Sequence, residues 1–224
     1  LPKSELGNFS VDDIYLRGRI DRLDQLSSDY LGAIDYKSSA HSFKLQDAYD
    51  GLSLQFMTYL DVIKEAFPNQ KIWGALYLQF KNQPINLSEI NHLSEIAGLL
   101  KESMRYDGLV LEEAADQIKA IENITVKKSN IYNQEEFEQL LKLNENHYQH
   151  AGQRLKSGQI AINPIMKRSE GIDQTGNVRG CRYCPLKSIC RFEANVHMNE
   201  HSREIGQKSQ AEILAELKGE GRNE

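Results

Sequence analysis

The sequence predicts an α/β (α+β) protein in which helices flank a mixed β-sheet, and two kinds of pattern indicate it. Apolar and polar residues alternate over residues 9–24, which is typical of a strand, and residues 30–38 and 71–80 are also predicted to be strands. Apolar residues recur at helical spacing over 48–67 and 134–156. Strands and helices in this order favour one sheet with helices packed against it.

The N-terminal elements carry clear boundary signals. The Ser-Ser-Asp run at 27–29 is typical of a turn, so we expect the first two strands to pair as a hairpin. The Pro-Asn pair at 68–69 ends the helix that begins near residue 48. The third strand, KIWGALYLQF, follows directly and is bounded by the turn signal KNQP.

The C-terminal half is predicted to be mainly helical before a segment rich in cysteine. Helical patterns run through 88–123, Gly158 is placed to cap the helix over 134–156, and GQIAINP predicts a short strand. These signals divide the chain into a core with its flanking helices (1–166), a cysteine-rich segment (167–200) and a charged tail expected to form a surface helix or frayed end (201–224).

Composition narrows the classes of function. The formal net charge of −5 argues against wholesale electrostatic binding of nucleic acid, but a local basic groove is compatible with it. No apolar run approaches the roughly 18 residues of a membrane helix, so we expect no membrane partner. The start, LPKSELGNFS, lacks the apolar core of a signal peptide, and its first residue suggests a piece of a longer protein.

The three cysteines lie within ten residues of one another. Cys181, Cys184 and Cys190 form an odd, tight cluster, which is a poor disulfide framework and a better metal or iron–sulfur site in a reducing compartment. We therefore expect a cytoplasmic protein. An iron–sulfur cluster, a zinc site completed by His197 and three unliganded thiols are the alternatives.

Acidic and basic residues interrupt the first two predicted strands. Asp21 lies in GRIDRLD, while Asp35 and Lys37 share IDYK and so project from one strand face. Two carboxylates on neighbouring strands can hold Mg²⁺, with the backbone carbonyl of Tyr36 as a further ligand. Such an ion polarises a phosphoryl oxygen, and the lysine can orient the attacking water or stabilise charge on phosphorus. The alternative is an exposed ion pair of little consequence.

The helix that follows these strands carries polar side chains within an otherwise apolar stripe. Gln55 and Tyr59 are spaced i, i+4 and share one helix face. A glutamine amide in a buried stripe requires hydrogen-bond partners, so both side chains could face a polar site. The alternative is a partly exposed helix edge.

Three arginines surround the first aspartate. Arg17 and Arg19 are predicted to share a strand face with Asp21, and Arg22 follows it directly. Guanidinium groups bind phosphate without reading sequence, so these residues are candidates for non-specific DNA binding. A solvated surface is the alternative for each of them.

These motifs, taken in order, resemble a known family. GRIDRLD, AIDYKSS, GLSLQFMTYLD, GALYLQF, GQIAINP and CRYCPLKSICRFE together are similar to the RecB-type branch of the PD-(D/E)xK nucleases. The resemblance is strongest to the C-terminal nuclease domains of the B subunits of AddAB (RexAB-type) ATP-dependent helicase–nucleases. Each motif alone is weak, whereas their order and spacing are specific, and they cover nearly the whole chain.

The resemblance implies a restriction-endonuclease-like fold and a metal-dependent deoxyribonuclease that uses Mg²⁺ or Mn²⁺. Asp21 and Asp35 match the metal carboxylates of the family and Lys37 matches its catalytic lysine. Gln55 and Tyr59 match its Q-x-x-x-Y motif. The implied partners are single-stranded DNA and an A subunit of the AddA/RexA type, in double-strand break repair and recombination. The alternatives are a non-catalytic DNA-binding scaffold with the nuclease fold, or a stand-alone CRISPR-associated exonuclease of the same fold.

The cysteine segment also matches the family. Its members hold a 4Fe–4S cluster with three closely spaced cysteines and one far upstream, which implies Cys181, Cys184 and Cys190 as three of the ligands. The upstream cysteine is not among these 224 residues, so we expect the cluster to be absent or incomplete in this chain. The family's upstream metal-binding histidine is also lacking, because His41 follows the Asp35 motif and is not its equivalent.

Overall fold

The computed structural model of the chain describes residues 9–11, 14–27, 29–39, 41–80, 98, 104–121, 124, 126–167, 171–174, 177–194, 196, 203–205 and 208–219. The chain forms two compact units, one of residues 1–149 with 210–224 and one of residues 150–209. None of the helices among the described residues combines the length and the apolar composition that a membrane span requires.

Among the described residues, four strands come first along the chain and are followed by a mixture of helices and strands. The strands are β1 Phe9–Val11, β2 Ile14–Leu16, β3 Arg22–Ser27, β4 Tyr30–Lys37, β5 Lys71–Phe80, β6 Met104–Leu111, β7 Ile131–Tyr132, β8 Ile165–Lys167 and β9 Arg203–Ile205. The α-helices are α1 Leu45–Tyr49, α2 Gln55–Ala66, α3 Glu112–Lys119, α4 Gln134–Lys156, α5 Lys187–Cys190 and α6 Gln210–Leu217.

A five-stranded mixed sheet organises the first unit. Its strand order is β3-β4-β5-β6-β7, with β4 parallel to β5 and β6 parallel to β7, and the other pairs antiparallel. The predicted hairpin is confirmed, because β3 and β4 pair antiparallel across the turn at Asp29. Helices pack on this sheet, so the predicted α/β class is confirmed as well.

The two faces of the sheet bury separate cores. Leu31 and Ala33 of β4 point to the face covered by α2, and Ile34 beside them points to the opposite face, which α3 covers. Because side chains alternate along a strand, Asp35 and Lys37 continue the row of Leu31 and Ala33 toward α2. The sheet thus carries both charged groups to the face on which α2 lies.

Helix α2 is amphipathic with a stripe that seals the core. Phe56, Leu60 and Ile63 recur at i, i+4 and i+7 and are at most 1% exposed. The prediction of one helix over 48–67 was wrong in its bounds. Gly51 takes a left-handed conformation with φ of 74° after α1, and α2 begins anew at Gln55.

Two predictions about strands were wrong in the N-terminal half. Residues 9–24 form three strands, because β1 and β2 pair with each other and Val11 faces Ile14 in that ladder. The adjacent aspartates at 12–13 in the sequence are a turn signal that the alternation concealed. Residues 17–20 lie outside the strands, so Arg17 and Arg19 do not share a strand face with Asp21.

The helical prediction over 88–123 was wrong for Met104–Leu111, which forms β6, and right for Glu112–Lys119. Its remaining part falls largely outside the described residues. Gly108 explains the strand, because a Cβ there would lie 2.0 Å from the backbone oxygen of Ala75 on β5. A residue without a side chain allows this close approach of two strands.

The C-terminal elements were predicted in part. Helix α4 covers 134–156 as predicted, and Gly158 follows it with φ of 67°, as a capping glycine does. The short strand lies at Ile165–Lys167 rather than in GQIAINP, and it pairs in parallel with β9. Helix α6 in the charged tail buries Ile213 in the core of the first unit, so it is more than a surface helix.

Candidate functional site

Asp35 and Lys37 form a half-buried ion pair at the end of β4. Asp35 is 3% exposed, and its Oδ2 lies 2.7 Å from the ammonium nitrogen of Lys37. The contact lacks the angles of a hydrogen bond, so Oδ2 is a buried oxygen that accepts none. We regard it as an ion pair, since the attraction of opposite charges depends on their distance and much less on angle.

Gln55 links both members of this pair to α2. Its Nε2 donates to Asp35 Oδ1 at 2.9 Å and to the Tyr59 hydroxyl at 2.6 Å. Its Oε1 accepts from the Lys37 ammonium at 3.2 Å. A carboxylate only accepts and an ammonium only donates, so the network fixes the orientation of the amide.

Tyr59 completes the link on the same helix face. Its hydroxyl donates to Asp35 Oδ1 at 3.1 Å while it accepts from Gln55. Burial raises the pKa of Tyr59, and the nearby charges of Asp35 and Asp21 raise it further. The phenol therefore stays a protonated donor at neutral pH, and both carboxylates lie within electrostatic reach of it.

Asp21 reaches the end of β4 from the bend before β3. Its Oδ2 accepts a hydrogen bond from the backbone N–H of Tyr36 at 3.1 Å. The N–H and C=O of one strand residue point to the same neighbour, so the Tyr36 carbonyl leaves β4 on the side of Asp21. The Tyr36 side chain points to the opposite face of the sheet and is 42% exposed.

Two aromatic rings, those of Tyr77 and Phe56, pack beneath the network. Tyr77 pairs with Asp35 in the β4–β5 ladder, and the Lys37 ammonium lies 5.3 Å from the centre of its ring. The ring packs against Phe56 of α2 at 3.9 Å between centroids. The Tyr77 ring helps to keep the Lys37 ammonium near Asp35 through a cation–π contact.

The donor set fits a hard divalent cation. The buried, unsatisfied Oδ2 of Asp35, the Asp21 carboxylate and the Tyr36 carbonyl are all oxygen donors, which Mg²⁺ and Mn²⁺ prefer. Two carboxylates against one ammonium leave a net negative charge that attracts a cation. No group of three or more His, Cys, Asp or Glu side chains suited to a metal occurs among the described residues.

The three predicted DNA-binding arginines lie in two different parts of the structure. Arg22 pairs with Ile34 in the ladder and therefore lies on the face opposite Asp35. Its guanidinium binds Asp24 and donates to the Tyr36 hydroxyl at 3.3 Å, and the bond to Asp24 raises its pKa. Arg17 and Arg19 are exposed in the segment that precedes Asp21.

The loop after β4 is fixed by hydrogen bonds from its backbone to two polar side chains, Gln79 and Asp107. The sequence analysis did not identify either residue. Gln79 is 9% exposed, accepts from the backbone N–H of His41 and donates to its carbonyl. Asp107 accepts from the backbone N–H of Phe43 at 2.8 Å and pairs with Lys127 at 2.6 Å. A glutamine inside the apolar strand KIWGALYLQF was an available signal, whereas Asp107 was concealed by the wrong helix prediction.

The second unit holds the three cysteines, all half-buried. The backbone N–H of Cys184 donates to the Cys181 carbonyl at 3.2 Å, and Cys190 is the last residue of α5. Burial raises the pKa of Cys181, and the neighbouring Cys190 and Cys184 add to the effect. Cys184 and Cys190 thus lie within electrostatic reach of Cys181, but the three thiols do not form a ready metal site among the described residues. His197, the fourth ligand of the zinc alternative, lies outside the described residues.

Comparisons with known proteins identify the family of the chain. The sequence profile described as the PD-(D/E)XK nuclease superfamily matches residues 3–191. The chain is 90% identical over 224 residues to the RexB protein of the exonuclease/helicase of Lactococcus lactis subsp. cremoris strain MG1363, covering all of this chain and 20% of that protein. It is 31% identical over 209 residues to the B subunit of the ATP-dependent helicase/deoxyribonuclease of Streptococcus suis strain 05ZYH33, covering 92% of this chain and 18% of that protein. The chain thus spans about a fifth of the length of these curated relatives.

Proposed function

The chain belongs to the PD-(D/E)XK nuclease superfamily, and from that premise we propose that it hydrolyses phosphodiester bonds of single-stranded DNA with a divalent metal ion. The observation that carries the proposal is the single network of Asp35, Lys37, Gln55 and Tyr59, with Asp21 beside it. Its charges and donors are the ones that phosphoryl transfer to water requires.

The metal ion would be held by Asp21, Asp35 and the backbone carbonyl of Tyr36. When bound, Mg²⁺ or Mn²⁺ supplies Lewis-acid polarisation of a phosphoryl oxygen. Oδ1 of Asp35 accepts hydrogen bonds from Gln55 and Tyr59, whereas Oδ2 accepts none, so a cation would bind Oδ2 and share it with the Lys37 ammonium. The two donors on Oδ1 also fix the plane of the carboxylate, so Oδ2 has a defined direction.

Lys37 is the group that we assign to the reacting phosphate. Its ammonium is anchored by Asp35, by Gln55 and by the Tyr77 ring, so it is pre-organised before substrate arrives. A fixed positive charge stabilises negative charge that builds on the phosphoryl oxygens in the transition state. Gln55 and Tyr59 act through Asp35 and Lys37 and are positioning residues.

The role of the whole protein is proposed from its relatives. The names of those relatives describe one component of a helicase–nuclease, so we propose that this chain works beside an A subunit of the AddA/RexA type. In that setting it would cut a DNA strand during double-strand break repair and recombination. The cytoplasmic location predicted from cysteine usage is part of the same proposal.

A nuclease assay on single-stranded DNA with Mg²⁺ or Mn²⁺ tests the proposal. Asp35→Ala and Lys37→Ala should each lower the cleavage rate by about 10²-fold or more. Asp24→Ala and Lys71→Ala are the matched controls, because Asp24 pairs with Arg22 on the other face and Lys71 lies over the Tyr30 ring at the far end of β4. Equal rates in all variants would reject the site and favour a non-catalytic DNA-binding module.

We also propose that Cys181, Cys184 and Cys190 are three ligands of a 4Fe–4S cluster in the full-length protein. The observations in support are their C-x₂-C-x₅-C spacing and the electrostatic influence of Cys184 and Cys190 on Cys181, since such clusters are bound by cysteine thiolates. The fourth ligand would come from outside these 224 residues. Iron and labile sulfide in the anaerobically purified full-length protein test this. One equivalent of zinc without sulfide would contradict it.

A further inference from the structure

A cleft of about 300 Å³ adjoins the Asp35 network within the first unit. One wall is the residue 16–20 segment with Arg17 and Arg19, and the other is α2. Tyr148 of α4 also lines it. Its volume is at the lower end of the range for small-ligand sites, which is about 300–1,000 Å³.

The face of α2 in this cleft is distinct from the face that seals the core. Gln55, Thr58, Tyr59 and Val62 recur at i, i+3, i+4 and i+7, so they form one continuous stripe along the helix. Gln55 and Tyr59 belong to both the cleft and the Asp35 network. A molecule in the cleft is therefore separated from Asp35 by the thickness of one side chain.

The Tyr148 ring is held in a fixed orientation. Thr58 Oγ1 donates its only hydrogen to the Leu54 carbonyl at 2.9 Å, so the Tyr148 hydroxyl, 2.8 Å away, must be the donor to Thr58. Tyr148 is half-buried and lines the cleft, so part of the residue faces that space. Leu16 and Val62 add apolar surface beside it.

The charge at this cleft is opposite to that of the whole chain. Arg17 and Arg19 bring two guanidinium groups to a protein whose formal net charge is −5. Apolar and aromatic surface beside exposed arginines is the combination that binds single-stranded nucleic acid, with bases on the rings and phosphates on the basic groups. Bases in a duplex are stacked and cannot enter such a cleft.

We propose that this cleft binds one unpaired nucleotide of the DNA strand next to the scissile phosphate. The base packs against Tyr148 and Val62, and the backbone phosphate contacts Arg17 and Arg19. The inference rests on the proposed nuclease function and adds the reason for single-strand preference. It assigns Tyr148, which no motif indicated, as a substrate-binding residue.

Binding to two oligomers in EDTA tests this without hydrolysis. The probes are fluorescent oligothymidylate and an oligomer of equal length whose bases are replaced by tetrahydrofuran, so that only the phosphates remain. The wild-type chain should bind oligothymidylate about tenfold more tightly. Tyr148→Ala should remove this preference and leave the affinity for the base-free oligomer unchanged. Tyr148→Phe, which keeps the ring, should stay within about twofold of wild type.

The Arg17→Gln variant tests the proposed phosphate contact. It should weaken binding of both oligomers by the same factor, because phosphates are common to them. Equal wild-type affinity for the two oligomers would overturn the proposal, even if Tyr148→Ala failed to fold. The proposal would also be overturned if Tyr148→Ala lowered the affinity for both oligomers by the same factor. Cleavage with Mg²⁺ is measured separately on the full-length protein, and its absence there alongside a retained base preference would reject the nuclease function and not the cleft.

Discussion

Asp61 is a carboxyl group inside the packing of α2 against α4, and its replacement by asparagine should change how stability depends on pH. Asp61 is 5% exposed, and its Oδ2 accepts a hydrogen bond from Asn144 Nδ2 at 2.7 Å. Burial raises the pKa of Asp61 to about 7. Asn144 opposes this shift, as does Lys64, while the charges of Glu145 and Glu138 reinforce it.

The magnitude follows from proton linkage. The pKa rises from 3.8 in the unfolded chain to about 7 in the folded one, a shift equivalent to about 4 kcal/mol. Between these values the folded state holds a proton that the unfolded state has lost. The free energy of unfolding therefore falls by about 1.4 kcal/mol per pH unit as pH rises from about 4 to 7, and this contribution is constant above 7.

Asp61→Asn should remove this dependence. The introduced amide resembles the protonated acid, and its N–H can donate to Asn144 Oδ1, a buried oxygen that accepts no hydrogen bond in the wild type. The variant should gain about 4 kcal/mol relative to wild type between pH 4 and pH 7. Urea unfolding followed by circular dichroism at several pH values measures the difference. Asp116→Asn, at a fully exposed carboxylate, is the control. A difference between the Asp61 variant and wild type that is constant over this range would show that Asp61 does not bind a proton in the folded state between pH 4 and pH 7.

Three further outcomes are expected. Gly108→Ala should lower the free energy of unfolding by about 3 kcal/mol, because its Cβ would meet the β5 backbone at 2.0 Å. Gly18→Ala is the control, because a Cβ at Gly18 has no atom within 4 Å, and it should change the free energy of unfolding by less than about 0.5 kcal/mol. Equal urea midpoints for the Gly108 and Gly18 variants would contradict the prediction. Gln55→Ala should slow cleavage about 10²-fold with an unchanged urea midpoint, and a rate within twofold of wild type would exclude its positioning role. Asp107→Ala should cost about 1–3 kcal/mol by leaving the Phe43 N–H without its partner, as a lower thermal midpoint would report.

The elements at the centre of the site could be predicted because their signals are local. The period of two in YLGAIDYK places Asp35 and Lys37 on one face, and a helical period does the same for Gln55 and Tyr59. Residues that share an element need no tertiary information to be placed side by side. The contact of Gln55 with Asp35 and Lys37 joins α2 to β4 and required the fold.

The wrong predictions arose where long-range pairing determines the conformation. MRYDGLVL has a pattern compatible with a helix, yet it lies along β5 because Gly108 lets the two backbones approach. Arg22 was grouped with Arg17 and Arg19 by proximity in sequence. The β3–β4 register then directs it to the opposite face, where Asp24 binds it. Register depends on the partner strand and cannot be read from one strand alone.

The most direct test of the account is the cleavage rate of Asp35→Asn on single-stranded DNA with Mg²⁺, compared with Asp24→Asn. Both changes remove one carboxylate charge from neighbouring strands and retain its shape, but only Asp35 contacts Lys37, Gln55 and Tyr59. We expect a loss of about 10³-fold for Asp35→Asn and a rate within about twofold of wild type for Asp24→Asn. Cleavage by folded Asp35→Asn at the wild-type rate would contradict the assignment of this network as the hydrolytic site.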